Sequence, residues 1–227
     1  MDKKAWFLVG LLSITLFSAC ISKQESQLPL PNDKAHISQQ PTVTPIQLVF
    51  QRQNATPTPK PPISAMAPPT NIPSTGIGAA PYGPPPPMTN EEIQLTQQLF
   101  ALMNSDRAVR GLYPFTWNPT LAGGARLHSW NMFHCGFSHT CPDGHTQCQR
   151  IADEGFAGYT DCGENIGYAG PFPTPYAGMH NIQESMVNEP PTGWHRIHLL
   201  STTLHRVGVG IYVDPQGYIW FTEDLVS

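Results

Sequence analysis

Prolines crowd one end of this chain, with 16 of the 25 lying between Pro29 and Pro87. Each fixes its own φ, removes a backbone donor and pushes the preceding residue out of the helical region. The TPTPKPP segment around Lys60 and the run Pro84 to Pro87 therefore favour extended, polyproline-like chain, and no helical or strand periodicity appears from Ile21 to Met88. Residues 21–88 are thus expected to form a disordered proline-rich spacer. Where extended, it could hold a domain on the order of 100 Å or more from its anchor. Folding is left to residues 89–227, enough for one domain.

The anchor is expected at the other end of the spacer. Lys3 and Lys4 precede the apolar run AWFLVGLLSITLF, which is too short to span a bilayer comfortably, and Ser18 and Ala19 then lead into Cys20. LFSAC resembles a bacterial lipobox, so residues 1–20 read as a lipoprotein signal peptide with Cys20 as the lipidated first residue of the mature chain. The expected location is extracytoplasmic, at the cell surface or in the periplasm, held to the membrane by acyl chains. Charge excludes other partners. All five lysines lie at or before Lys60, and residues 89–227 carry 6 Arg against 13 Asp and Glu, a formal charge of −7 with His neutral. That is a poor footprint for nucleic acid or an anionic membrane face.

Cysteine usage agrees with export. Cys135, Cys141, Cys148 and Cys162 form an even set in a short interval, which suggests two disulfides among three pairings. A zinc knot is the rival, but no Cys-x-x-Cys pair is present.

Beyond the spacer the chain reads as helices followed by strands. Thr89 and Glu92 form a capping-box signature before a helically spaced run through Leu99, Phe100 and Met103, with Gly111 as a stop. Asn118-Pro119 opens a second helix carrying His128 and Met132. A third is expected from Thr146 to Glu154, and a fourth from Thr174-Pro175 to a stop at Pro190. Val207 to Val213 and Tyr218 to Thr222 flank the turn Asp214-Pro215-Gln216-Gly217 as a β-hairpin, with further extended pieces near Phe115–Trp117 and Asn165–Tyr168. The class is α+β, an antiparallel sheet covered by helices.

The stretch NEPPTGWHRIH, Asn188 to His198, looks like half of a polar site. Pro190-Pro191 stops the incoming helix with Glu189 at a rigid exit. Gly193 lets the chain turn so that a short helix can present His195 back toward it. Trp117, Trp130, Trp194 and Trp220 read as core or cleft walls, His128 as a partly buried packing residue and Arg107 as half of a structural ion pair.

The order FALMNSDRAVRGLYPFTWNPTLAGGARLHSWNM, FSHTCPDG, CGENIGYA, NEPPTGWHRIHLL, RVGVGIYV and WFTEDLV resembles the CAP superfamily, or SCP domain, which includes cysteine-rich secretory proteins, antigen 5 and plant pathogenesis-related proteins. The resemblance covers Glu91 to Leu225. It implies an α-β-α sandwich with a central antiparallel sheet, and a cleft carrying two histidines and two carboxylates. By motif these are His139 and Glu164, then Glu189 and His195, with Met186 where the family often has tryptophan. In some members the two histidines hold a metal, so His139 and His195 are the candidate ligands, with Zn²⁺ as the candidate ion. The implied function is binding of a small molecule, lipid or cell-envelope partner without enzymatic activity. The alternative is a metal-dependent hydrolase acting on peptide or envelope substrates with Glu164 as base, although the chain has neither HExxH nor Gly-x-Ser-x-Gly.

Overall fold

The computed structural model describes residues 67–227. The expected signal peptide, Cys20 and the spacer as far as residue 66 lie outside the described residues. Helix α1 (Asn90–Ala108) starts on the capping box, with the Glu92 amide donating to Thr89 Oγ1 (3.1 Å) and the Thr89 amide to Glu92 Oε2 (2.8 Å). It stops short of Gly111, whose φ of 73° is left-handed. Strand β1 (Thr116–Trp117) follows, then α2 (Pro119–Cys135), capped by Asn118 with proline in its first turn. Next come α3 (Gln147–Asp153), β2 (Cys162–Ala169), α4 (Pro175–Val187) and α5 (Trp194–Leu199). The chain closes with β3 (Arg206–Val213) and β4 (Ile219–Val226), whose turn is fixed by Asp214 Oδ1 accepting from the amides of Gln216 and Tyr218.

The sheet runs β1-β3-β4-β2. Strands β3 and β2 both pair antiparallel with β4, but β1 pairs parallel with β3, so the sheet is mixed rather than wholly antiparallel as expected. The cause is connectivity. The chain leaves β1 through α2, α3, β2, α4 and α5 before it reaches β3, and a crossover of that length can return it in the same direction.

Strand alternation gives the sheet two different faces. Val207, Val209, Ile211, Ile219, Phe221 and Leu225 meet Leu95, Leu99, Phe100 and Met103 of α1 and Met179, Met186 and Val187 of α4 in the main core. On the opposite face lie Gly208 and Gly210, where α2 docks. A Cβ at Gly208 would stand 2.0 Å from the Ala122 nitrogen, and one at Gly210 would stand 1.9 Å from the Arg126 nitrogen. The two glycines let a helix backbone rest directly on a strand, and Ser129 Oγ bonds to the Gly210 carbonyl (2.8 Å) and Thr222 Oγ1 (3.0 Å) across that contact. Arg126, fully buried, reaches Glu92 at 3.2 Å and lies over the Tyr212 ring, tying α2 to the start of α1. Arg107 has carbonyls in place of the expected carboxylate. It donates to Tyr113, Leu199 and Ser201 and covers the Phe115 ring.

The end of the stretch read as spacer is docked on the domain. Glu154 accepts from the amides of Ile77 (2.6 Å) and Gly78 (2.9 Å), Asn131 donates to the Ala79 carbonyl (2.9 Å), and Trp130 donates to the Gly83 carbonyl (3.0 Å). Gly123 and Gly124 in α2 clear the way for Thr75 and for the Glu154 side chain. The segment forms no helix or strand, so it leaves no periodicity to read.

The backbone contact at Gly210 has no flexible side chain that can yield. Gly210→Ala is therefore expected to destabilise the domain by at least about 3 kcal/mol through overpacking, which denaturant unfolding would measure; a loss under about 1 kcal/mol contradicts this account.

Glu223 supplies a pH-dependent test. It is fully buried in β4, bonded to Asn165 Nδ2 (2.8 Å), and burial pushes its carboxyl from an ordinary 4.5 up to about 8 against the pull of that hydrogen bond. The unfolded chain releases this proton first, so the Glu223 contribution to stability falls as pH rises from about 4.5 to about 8. Glu223→Gln should melt several degrees above wild type at pH 8, and the gap should close toward pH 4.5.

Candidate functional site

Strand β2 is an edge strand, and a cleft of about 620 Å³ runs along it. Ile166, Gly167 and Tyr168 contribute from the strand, Phe137 to Thr140 from the loop after α2, and Ile182, Ser185, Met186, Glu189 and His195 from α4, its exit turn and α5. The volume is within the usual range for small-ligand clefts, about 300–1,000 Å³.

Two disulfides, Cys135–Cys141 and Cys148–Cys162, resolve the open pairing. The first closes the loop that carries His139 onto the end of α2, and the second fastens α3 to the start of β2. His139, with its side chain 49% exposed, places Nδ1 2.7 Å from Glu164 Oε1. Glu164 itself is 3% exposed and is held by Arg150 of α3, which bonds to Oε2 and also donates to the carbonyls of His139 and His145. Burial works against the charge on Glu164, but His128 nearby, the His139 hydrogen bond and Arg150 together hold its carboxyl below the usual range. Burial also takes His128, 3.6 Å away, down to about 4, so at neutral pH His128 is uncharged and Arg150 is the compensating cation. Asp224 sits opposite Glu164 in the sheet register. Burial and the Glu164 charge push its carboxyl well up, leaving a neutral acid beside a carboxylate.

The second pair is built by the Pro-Pro turn. Gly193 accepts the Glu189 side chain where a Cβ would stand 2.4 Å from Oε2, and its amide closes onto the Pro190 carbonyl (2.8 Å). His195, in the first turn of α5, then places Nδ1 2.6 Å from Glu189 Oε1. Burial raises the Glu189 carboxyl, but the His195 bond and the nearby amides of His195 and Arg196 outweigh it, and the net shift is downward. Of the four expected site residues, His139, Glu189 and His195 share the cleft wall, while Glu164 lies behind His139. His198 packs on Gly163 and bonds to Asn165 Oδ1 (2.9 Å). Trp194, expected in a wall or core, is 72% exposed.

Sequence reasoning missed Arg150 and Asp224. A signal for Asp224 was present: Glu223 and Asp224 are consecutive acids in the otherwise apolar run of β4, where ordinary alternation would put at least one in the interior. Arg150 carried no comparable mark.

A family model described as the cysteine-rich secretory protein family, CAP, matches residues 100–225. The chain belongs to this family. Among solved structures, an extracellular SCP-domain protein from Bacillus anthracis is similar at 25% identity and a TM-score of 0.50, over 62% of this chain and 44% of that one. The CAP chain thus spans less than half of that relative. An outer surface protein of Borrelia burgdorferi shares the fold at 16% identity and a TM-score of 0.50, over 62% of this chain and 95% of that one. No curated protein matches by sequence.

For a metal, the donor chemistry of the cleft fits in kind. Each imidazole has Nδ1 against a carboxylate, which orients the ring and leaves Nε2 as a candidate ligand atom. Among the described residues no three His, Cys, Asp or Glu side chains converge as a metal cage. An ion here would have the two imidazoles and water.

Arg150→Met leaves Glu164 buried without its cation. It is expected to cost about 3–5 kcal/mol in denaturant unfolding at neutral pH, and the double change Arg150→Met with Glu164→Gln should recover much of the loss.

Proposed function

We propose that this CAP domain is a non-enzymatic extracytoplasmic binding module, displayed on a proline-rich stalk that is lipid-anchored at Cys20. Its cleft takes a small molecule, lipid or cell-envelope ligand, with a divalent metal such as Zn²⁺ held by His139 and His195. The observation that carries this reading is the combination on one cleft of two carboxylate-oriented imidazoles with an apolar and aromatic wall of Phe137, Ile166, Tyr168, Ile182 and Met186. The relatives described as an extracellular and an outer-surface protein support the location.

A bound metal would supply a Lewis-acidic anchor for a ligand oxygen. The protein's part is to hold both rings with Nδ1 engaged, so that the Nε2 atoms are left for the ion, and to keep water access open. Metal-dependent hydrolysis with Glu164 as base is less well supported. One Glu164 oxygen is committed to His139 and the other to Arg150, and its lowered pKa makes it a weak proton acceptor.

Calorimetric titration of Zn²⁺ into the CAP domain tests the metal. Wild type should bind with a Kd in the micromolar to sub-millimolar range, as two ligands imply, and His139→Ala or His195→Ala should weaken binding at least about tenfold. No heat of binding at sub-millimolar zinc, or equal binding by both variants, counts against the ligand assignment.

A further inference from the structure

The aromatic end of the cleft is a prebuilt stacking surface. Tyr168, on edge strand β2, is 41% exposed, and its ring is fixed from behind by Tyr218, stacked at 5.5 Å and 12°, and by Trp220 at 4.1 Å. Phe137, 50% exposed, faces it from the opposite loop at 6.2 Å and 41°. Two solvent-facing rings set at an angle and supported by other rings lose little freedom when a ligand arrives.

Charge narrows what could lie there. No lysine or arginine lines the cleft, Glu189 stands on its wall, and Arg150 behind it is consumed by Glu164. An anionic headgroup or an acidic polymer would find no side-chain cation and one carboxylate. The remaining polar groups suit hydroxyls and amides. Ser138, Thr140 and Ser185 line the cleft with hydroxyl oxygens that keep a lone pair to accept with, Ser138 and Thr140 sharing one hydrogen bond and Ser185 donating to the Asn181 carbonyl. Ring faces beside neutral donors and acceptors match a pyranose, whose C–H face is apolar and whose edge is a row of hydroxyls.

We infer that the cleft binds a neutral glycan chain, stacking one sugar ring on Tyr168 and Phe137 and hydrogen-bonding its hydroxyls along Ser138, Thr140 and Ser185. This rests on the reading of the cleft as a ligand site, and it gives that ligand a chemical class. The stacking end needs no metal, so glycan binding and zinc binding can stand or fall separately.

Chitotetraose, an uncharged oligosaccharide with N-acetyl groups, is the probe, titrated into the folded domain by NMR or calorimetry in EDTA and again with zinc. Saturable binding in the micromolar to millimolar range is expected, weakened at least about tenfold in Tyr168→Ala and retained in Tyr168→Phe, which keeps the ring face. Thermal melts of both variants monitor the fold. No saturation by roughly 10 mM, or equal binding by wild type and a folded Tyr168→Ala, overturns the inference. So does preferential occupation of the same cleft by palmitate or by a proline-rich peptide. Zinc binding without glycan binding would reject this inference and leave the cleft reading intact. Glycan binding in EDTA that survives His139→Ala would uphold it and show that the stacking end works without a metal.

Discussion

The contact between α2 and the bare backbone of β3 governs the rest of the domain. With Gly208 and Gly210 under Ala122 and Arg126, the helix lies closer to the sheet than any side chain would permit, and its direction across the strands is set at two points. That direction carries His128 to within 3.6 Å of Glu164, and the end of the helix brings Cys135 to the disulfide that closes the His139 loop. The geometry of half the cleft is thus fixed by two missing side chains on a strand that does not touch it.

Electrostatics then divides the interior into a charged part and a neutral part. Glu164, Glu223 and Asp224 occupy two adjacent strands with almost no exposure, and three ionised carboxylates there would be prohibitively costly. One guanidinium, Arg150, is positioned for Glu164, and the other two acids are pushed upward by burial. Of these three acids only Glu164, the one that orients His139, keeps its charge, and the other two retain their protons. A polar site inside a small sheet is tolerable on these terms, since each further buried charge would need a buried cation of its own.

Local chemistry was legible in the sequence, and long-range registration was not. Thr89, Asn118, Thr146 and Thr174 announced four helix starts because a capping side chain acts within three residues of itself. The hairpin after Val213 was equally plain, since Asp214 and Gly217 work inside one turn. The parallel pairing of β1 depends on where the chain returns after some ninety residues, and two residues of strand carry no directional pattern. Residues 67–88 carry no local signal of their order, because it comes from Glu154, Asn131 and Trp130, all distant in sequence. In the cleft, Glu189 and His195 could be paired from the Pro-Pro-Thr-Gly turn alone. The role of Glu164 as a buried support needed Arg150 and Asp224, which only tertiary structure brings to it.

The two halves of the cleft are consequently built to different standards. His139 hangs from a disulfide-closed loop and a buried ion pair, so its orientation is coupled to the stability of the domain. Its Glu164 partner cannot be removed without leaving Arg150 uncompensated, or the reverse. Glu189 and His195 lie six positions apart on one turn near the surface, with side chains 28% and 33% exposed, and their hydrogen bond is local. A change on the second side can alter ligand affinity at little cost in stability, whereas a change on the first side alters both. The edge strand between them, with Tyr168 locked on Tyr218 and Trp220, belongs to the rigid half. Adaptation to a new ligand is therefore easiest from α4 and the Pro-Pro turn, where side chains can change without disturbing a buried charge.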